Sequence, residues 1–371
     1  MRLLIAGGGT GGHLFPGIAV AEEFLARDPA NEVLFVGTER GIEARAVPAA
    51  GYRLELISAA GIRGKGGLSQ IRGAAMMLYG YAQSRKILKK WRPDMVMGVG
   101  GYASLPMVLA ARGMQIPCFI HEQNAIPGLT NRLLSRFADQ VFITLDESAK
   151  FFPKGKTLLT GNPLRRQILD MVERHDPPSL AGIPLHQGGN GEAVPFRIFI
   201  FGGSQGAHAI NMAMLSALPH LEQYAAGLEI THQTGEKDAA EVAEAYRKHG
   251  FKAAVMPFIQ DMAAAYQRAD LVICRAGATT IAEVAACGKA CLFIPFPHAV
   301  DDHQRRNAEA LLKKEAGLML LERELSGERL AGIIQELAEN PETVQRTGVL
   351  AFGLARLDAA RIIVDEMVRK L

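Results

Sequence analysis

Two glycine-rich runs in this chain could bind anions, and a histidine directly follows one of them. The first run reads LLIAGGGTGGH, with Gly7, Gly8, Gly9, Gly11 and Gly12 ahead of His13; the second reads RIFIFGGSQGAH, with Gly202, Gly203 and Gly206. Each follows a short apolar run suited to a buried parallel strand. Each precedes a helical pattern, FPGIAVAEEFLA in the first case and AINMAMLSAL in the second. Glycine lets a backbone approach a phosphate closely, and the unpaired N–H groups and dipole of a helix start favour negative charge. One such loop is a weak sign. Two of them, heading two α/β halves, predict a cleft enzyme that grips phosphates from both sides. His13 is either a capping or solvated side chain or a general base, because imidazole titrates near neutrality. The positive end of a helix keeps such a ring uncharged and able to accept a proton.

Other polar residues fall where strands of an open parallel sheet should end, which is where such sheets bind ligands. Gly100-Gly101-Tyr102 follow one apolar run and His121-Glu122-Gln123-Asn124 another. A buried cluster of that kind must be satisfied, so at least one member is expected to brace the loop. Glu122 and Asn124 could instead face a substrate, and Glu122 is the second candidate base. Arg165, after Gly161-Asn162-Pro163, is a surface ion-pair residue or a guanidinium for a leaving diphosphate. Ala278, Thr279, Thr280, Ile281, Ala282 and Glu283 form a small-residue helix start; Glu283 is a dipole-favoured acid or an acceptor for ribose hydroxyls. Gln304 is a loop amide or a reader of sugar hydroxyls. There is no D-x-D carboxylate pair and no His/Cys cluster, so no metal and no cofactor is expected. Gly7, Gly9 and Gly12 formally fit G-x-G-x-x-G, but Glu39 lies beyond the place a ribose-binding acid needs, which makes dinucleotide binding a poor match.

These residues need a scaffold of alternating elements. EVLFVG, DMVMGVGG, PCFIHEQN, QVFIT and TLLTGN read as strands in the first half, and FRIFIFGG, LEITHQTG, KAAVMPF, LVICRAG and ACLFIPF in the second, with helical patterns between most of them. The alternation predicts an α/β protein with one helix-covered parallel sheet per half. At 371 residues the chain is too long for one ordinary core. The expected division is 1–163 plus a returning amphipathic helix at 355–371, against 164–354, with the Pro/Gly-rich 176–195 as a loop. The composition, 49% hydrophobic and 21% charged, is that of a globular protein, and no apolar stretch reaches membrane-span length. The first strand leaves no room for a signal peptide, which predicts a cytoplasmic protein with its four cysteines buried and reduced. The net charge of +3 gives no argument for nucleic acid.

Charge distribution says more. Between Leu56 and Pro93 there is no acidic residue, while Arg63, Lys65, Arg72, Arg85, Lys86, Lys89, Lys90 and Arg92 interleave with Leu68, Ile71, Met76 and Tyr79. Such a span is either a core-packed helix with a solvated basic face or a segment that contacts anionic lipid. The lack of compensating acids favours lipid contact.

The motifs GGGTGGHLFPGIAVA, GIRGKG, GVGGYAS, HEQNAIPGLTN, GNPLR, GGSQGA and CRAGATTIAEVAACGKA, then PF and HQRRNA, resemble in order those of the MurG family across nearly the whole chain. The resemblance implies a GT-B fold, two Rossmann-like domains with parallel sheets facing a central cleft, and a C-terminal helix crossing back to the first domain. It implies N-acetylglucosamine transfer from UDP-N-acetylglucosamine to lipid I, giving lipid II for peptidoglycan synthesis on the cytoplasmic side of the bacterial plasma membrane. Carried over by position, the donor site falls on Arg165, Ser204, Ile259, Ala278 to Glu283 and Gln304, with Thr10, Gly11, Gly12 and Asn124 also near the sugar nucleotide. Gly9, Thr10, Gly11, Gly12, His13, Gly100, Gly101 and Tyr102 would face the acceptor diphosphate. The span holding Leu68, Ile71, Arg72, Met76, Tyr79, Arg85, Lys86 and Lys89 would be the membrane patch. His303 and Arg306 depart from the pattern of some relatives, which carry glutamine and an aromatic residue there. The expected chemistry is a single inverting displacement with His13 as first choice of base and Glu122 as second. A UDP-sugar epimerase, a nucleotide sensor and another GT-B transferase are the competing readings.

Overall fold

A computed structural model describes residues 1–39, 41–59, 67–178, 195–203 and 205–371. The chain divides into two compact units, one formed by Met1–Arg166 with Arg356–Leu371 and one by Gln167–Ala355. Each is built on its own wholly parallel sheet.

The first unit carries β1 (Arg2–Gly7), β2 (Glu32–Gly37), β3 (Arg53–Leu56), β4 (Met95–Gly100), β5 (Cys118–Glu122), β6 (Gln140–Ile143) and β7 (Thr157–Leu159), in the order β3-β2-β1-β4-β5-β6-β7. The central strands are continuous apolar runs because helices cover both faces. Leu4 of β1 sits in register with Leu34 and Val96. Side chains alternate between the two faces of a strand. Leu3 and Ile5 therefore pack on one side with Leu14, Ile18 and Phe24 of the helix Gly11–Arg27, while Leu4 and Ala6 pack on the other with Leu88, Met107 and Leu134. The chain's final helix, Ala359–Arg369, returns to this unit. Its Ile363, Val364 and Met367 are fully buried in the first of those layers. Arg27 ties the two helices together through Asp365 at 2.5 Å and the Arg361 carbonyl at 3.2 Å.

The second unit carries β8 (Phe196–Phe201), β9 (Leu228–Gln233), β10 (Lys252–Met256), β11 (Leu271–Cys274), β12 (Ala290–Phe293) and β13 (Leu318–Met319), in the order β10-β9-β8-β11-β12-β13. Ile198, Ile200, Ile230, Ile273 and Leu292 form its core with Met214 and Leu218 of the helix His208–Leu221 and Leu330 and Ile334 of the helix Gly327–Glu339.

Three findings differ from the sequence reading. The edge strands β3 and β13 were not expected; RLEL is only partly buried and LM is two residues long, so neither shows the apolar run that marks a central strand. The first helix starts at Gly11, inside the glycine motif rather than after it. First-turn N–H groups have no intrahelical acceptor, so glycine costs less there than in a helix interior. Of the four cysteines, Cys118, Cys274 and Cys291 are buried and Cys287 is half-buried. The loop foreseen at 176–195 lies outside the described residues over 179–194.

Candidate active site

In the first unit the strand order reverses direction at β1, which has β2 on one side and β4 on the other. Loops leaving such a switch point diverge and open a crevice at the strand ends. The β1 loop runs through Gly7, Gly8 and Gly9 with φ of +149°, +138° and +88°. It interlocks with the β4 loop: the Gly8 N–H donates to the Gly100 carbonyl at 3.2 Å, and a Cβ on Gly101 would strike the Gly8 carbonyl. Ser104, fully buried, donates to the Ala6 carbonyl at 2.7 Å and accepts from the Gly100 N–H at 3.0 Å. Beneath the loop lies Glu43, 1% exposed. Its carboxylate accepts from the Gly9 N–H at 2.7 Å, the Thr38 N–H at 2.9 Å and the Thr38 hydroxyl at 3.0 Å. A Cβ on Gly8 would collide with that carboxylate. The N–H groups of Gly8 and Gly9 are thus committed inside the unit. The helix start that follows is uncapped: Thr10 is extended and makes no side-chain cap, and the first turn holds no acid. No acid in that first turn offsets the positive end of the helix dipole.

His13 sits in that first turn. A Cβ on Gly100 would come within 2.8 Å of its Nδ1, so the absent side chain there makes room for the ring. Nδ1 is 2.9 Å from Gln123 Oε1, and Nε2 makes no hydrogen bond among the described residues. The next members of the cluster are more deeply held. Gln123 Nε2 lies 3.0 Å from both the Val99 carbonyl and His121 Nδ1. His121, fully buried, faces the Gly161 carbonyl through Nε2 at 3.3 Å, and burial pushes its pKa down to about 4. Glu122 is 1% exposed and accepts from the Asn124 N–H at 2.9 Å, the Gly128 N–H at 3.2 Å, Asn131 Nδ2 at 2.9 Å and Asn124 Nδ2 at 3.2 Å. Burial raises its pKa, an effect that the Asn124 N–H opposes. Such a carboxylate folds the 124–128 loop and the start of the helix Leu129–Leu134 around itself. Tyr102 is 55% exposed, and the Arg165 guanidinium stacks 5.3 Å from the Phe15 ring centroid.

The second unit has its switch point between β8 and β11. Gly203 and Gly206 take φ of +96° and +75°, and a Cβ on Gly206 would strike the Thr234 carbonyl. Ser204 lies outside the described residues. Gln233, an ordinary strand residue by sequence, donates from Nε2 to the Gly203 carbonyl at 2.8 Å and accepts the Ile259 N–H at 2.9 Å. It joins the second glycine loop to Ile259. After β11 the helix Ala278–Ala286 starts uncapped behind an extended Gly277, again without a first-turn acid. Ala278 and Ile281 are buried, while Thr279, Thr280 and Ala282 are half-buried. Glu283 is 2% exposed and accepts from the Tyr266 hydroxyl at 3.2 Å. Gln304 uses Oε1 to accept the Ala276 N–H at 3.3 Å and the Phe296 N–H at 3.0 Å, tying the β11 and β12 loops together. Asp301 and Asp302, just before it, both adopt the left-handed region at φ +53°.

The basic span forms the helix Gly67–Trp91, in which Leu68, Ile71 and Arg72 lie outside the described side chains. Leu88 packs inward, whereas Leu78 and Tyr79 are 72% and 59% exposed. Lys86 and Lys89 are exposed, and Met76 and Arg85 half-buried. A second apolar and basic surface, not singled out from the sequence, is a cavity lined by Leu129, Arg132, Leu133, Arg136, Phe151 and Pro153. Among the described residues no helix is long and apolar enough to cross a membrane, and no cluster of His, Cys, Asp and Glu is arranged to hold a metal.

Comparison with known proteins shows the family. The glycosyltransferase family 28 N-terminal domain matches residues 3–143 and the family 28 C-terminal domain residues 197–357. A UDP-N-acetylglucosamine–N-acetylmuramyl-(pentapeptide) pyrophosphoryl-undecaprenol N-acetylglucosamine transferase of Pelobacter propionicus is 69% identical over 375 residues, 99% of each chain. The protein of the same name from Geobacter sulfurreducens is 63% identical over 368 residues, 99% of this chain and 98% of that one. The crystal structure of Acinetobacter baumannii MurG matches with a TM-score of 0.78 at 32% identity over 99% of both chains. A UDP-GlcNAc 2-epimerase from Neisseria meningitidis matches at 0.66 with 13% identity over the full length of both, a likeness of fold alone.

Proposed function

The chain belongs to glycosyltransferase family 28, and from that premise we propose its reaction. It is an N-acetylglucosamine transferase of GT-B plan. It moves the sugar from UDP-N-acetylglucosamine to the 4-hydroxyl of the N-acetylmuramyl unit of lipid I, yielding lipid II for peptidoglycan synthesis. The observation that carries this reading is the 69% identity, over 99% of both chains, to a transferase of that name.

The 4-hydroxyl attacks the anomeric carbon and UDP departs from the opposite face, so an α-linked donor gives a β-linked product. His13 Nε2 takes the hydroxyl proton; the ring stands in the first turn of the helix that follows the glycine loop. Glu122 is given the task of holding the 124–128 loop and the helix start after it, because its carboxylate already accepts four N–H groups. The second unit holds the nucleotide, with the uncapped start at Ala278 facing the diphosphate, Glu283 the ribose and Gln304 the sugar hydroxyls. Helix N-termini carry the diphosphate charge without a divalent cation. The first unit holds the acceptor, whose diphosphate meets Thr10, Gly11 and Gly12 with Gly100, Gly101 and Tyr102 alongside; Arg165, stacked on Phe15, adds positive charge next to that loop. The protein works as a peripheral protein at the cytoplasmic membrane face. Exposed Leu78 and Tyr79, with Arg85, Lys86 and Lys89, rest on anionic lipid.

Incubation with labelled UDP-N-acetylglucosamine, with and without a polyprenyl-diphosphoryl-muramyl-peptide, tests the reading. Acceptor-dependent UDP release together with label in the lipid is expected. Loss of UDP-sugar or appearance of an epimer without acceptor would overturn it.

A further inference from the structure

We infer that Gln123 is the positioning residue that holds His13 in the tautomer protonated on Nδ1, so that Nε2 is the nitrogen that receives the acceptor proton. The second half of this rests on the reading of His13 as general base; the first half stands on geometry alone.

The orientation of the Gln123 amide is dictated from behind. The Val99 carbonyl can only accept, and it lies 3.0 Å from one end of the amide, so that end is the NH2 group. The other end, 2.9 Å from His13 Nδ1, must then be the oxygen, which can only accept. His13 Nδ1 therefore carries the proton, and in the neutral ring Nε2 bears the lone pair. The second hydrogen of the amide points at His121 Nδ1, also at 3.0 Å, which makes that nitrogen an acceptor. The His121 proton is left on Nε2, facing the Gly161 carbonyl at 3.3 Å and the Thr144 hydroxyl at 3.4 Å. Every link agrees on one direction, from backbone carbonyls outward to His13.

The chain can hold because it does not titrate. Gln123 is 1% exposed and His121 fully buried, and burial keeps His121 neutral down to about pH 4. A protonated His121 would donate from Nδ1 and force the amide to turn. An amide suits this place better than a carboxylate, since it presents a donor to Val99 and an acceptor to His13 without adding charge. The Glu122 carboxylate, the nearby acid in this cluster, is occupied on the other side by its own four donors.

Nitrogen-15 NMR of the full-length enzyme labelled in histidine reads the tautomer directly, with the His13 signals identified by their loss in His13→Gln. In the unaltered enzyme the proton is expected on Nδ1. In Gln123→Leu the ring should redistribute toward Nε2–H, and kcat should fall by on the order of 10- to 100-fold with the KM for UDP-N-acetylglucosamine unchanged. Gln123→Glu should restore Nδ1–H: protonated, it gives its O–H to Val99 and its carbonyl oxygen to His13; ionised, it still accepts from His13. A proton found on Nε2 in the unaltered enzyme, which needs no variant to fold, would overturn the inference, as would an unmoved tautomer in Gln123→Leu. A tautomer that moves while kcat does not would leave the lock standing and remove His13 from the chemistry.

Discussion

His13 combines an uncapped helix start, a glycine that makes room for its ring and one ring nitrogen without a hydrogen bond among the described residues. Replacing it with glutamine, which keeps an acceptor and a donor, should lower kcat by about 10²- to 10⁴-fold while leaving the KM for UDP-N-acetylglucosamine in place. Steady-state kinetics at saturating acceptor check this, and unchanged turnover would exclude the base role. Two other histidines predict a pH effect on stability rather than rate. Burial lowers the pKa of His121 to about 4 and of His232 to about 3, from an ordinary 6.5. Below the ordinary value the unfolded chain takes up protons that the folded chain refuses, so this contribution is complete above about pH 6.5 and is lost as pH falls toward 4 and then 3. The thermal midpoint should decline across that window, and a flat profile from pH 6.5 to 4 would refute the assignment. His13 and Glu122 stand out in the sequence as candidates because they follow apolar runs, and Gln304 because it sits where a polar loop enters a helical pattern. Glu43 does not. In EARAVPA it reads as an ordinary first-turn acid, and only the packing of Gly8 and Gly37 against its carboxylate shows its task.

At the level of elements, the glycine loops are built by contact as much as by conformational freedom. The first closes on Glu43 and on the β4 loop, the second on the Thr234 carbonyl. Glu43→Gln should therefore cost about 1–3 kcal/mol, because an amide turns a donor toward either Thr38 or Gly9, where a carboxylate accepted from both. Denaturant unfolding would measure the loss, and unchanged stability would mean that the acid is dispensable. The strands that position the site were readable from continuous apolar runs, as Leu3 to Ala6 illustrate with no exposure at all. The edge strands β3 and β13 were missed because an edge needs no such run. The start of the first helix was missed because glycines look like a turn, whereas Gly11 and Gly12 here occupy the one turn whose N–H groups lack internal acceptors.

For the whole molecule, two separate cores imply two separable stabilities. The single tryptophan, Trp91, packs at the edge of the first core and reports on that unit. Ile363→Ala or Met367→Ala should each cost about 2–5 kcal/mol and shift the Trp91 fluorescence transition to lower denaturant. An unmoved transition would show the last helix to be an ornament on that unit. The basic helix gives a second test at this scale. Lys86→Glu with Lys89→Glu should weaken sedimentation with anionic vesicles, most visibly at low salt, while sparing turnover on a water-soluble acceptor. Equal vesicle binding would remove these lysines from the membrane face.

The returning helix also reorders how the protein can be made. On the ribosome, domains generally complete themselves in the order in which they emerge. Here Leu14, Ile18 and Phe24 are translated before the second unit, yet the residues that seal them, Ile363, Val364 and Met367, are translated after it. The first-born unit must wait through synthesis of the entire second one with an apolar seam uncovered, so the half of the nascent chain that leaves the tunnel first is the half that finishes folding last.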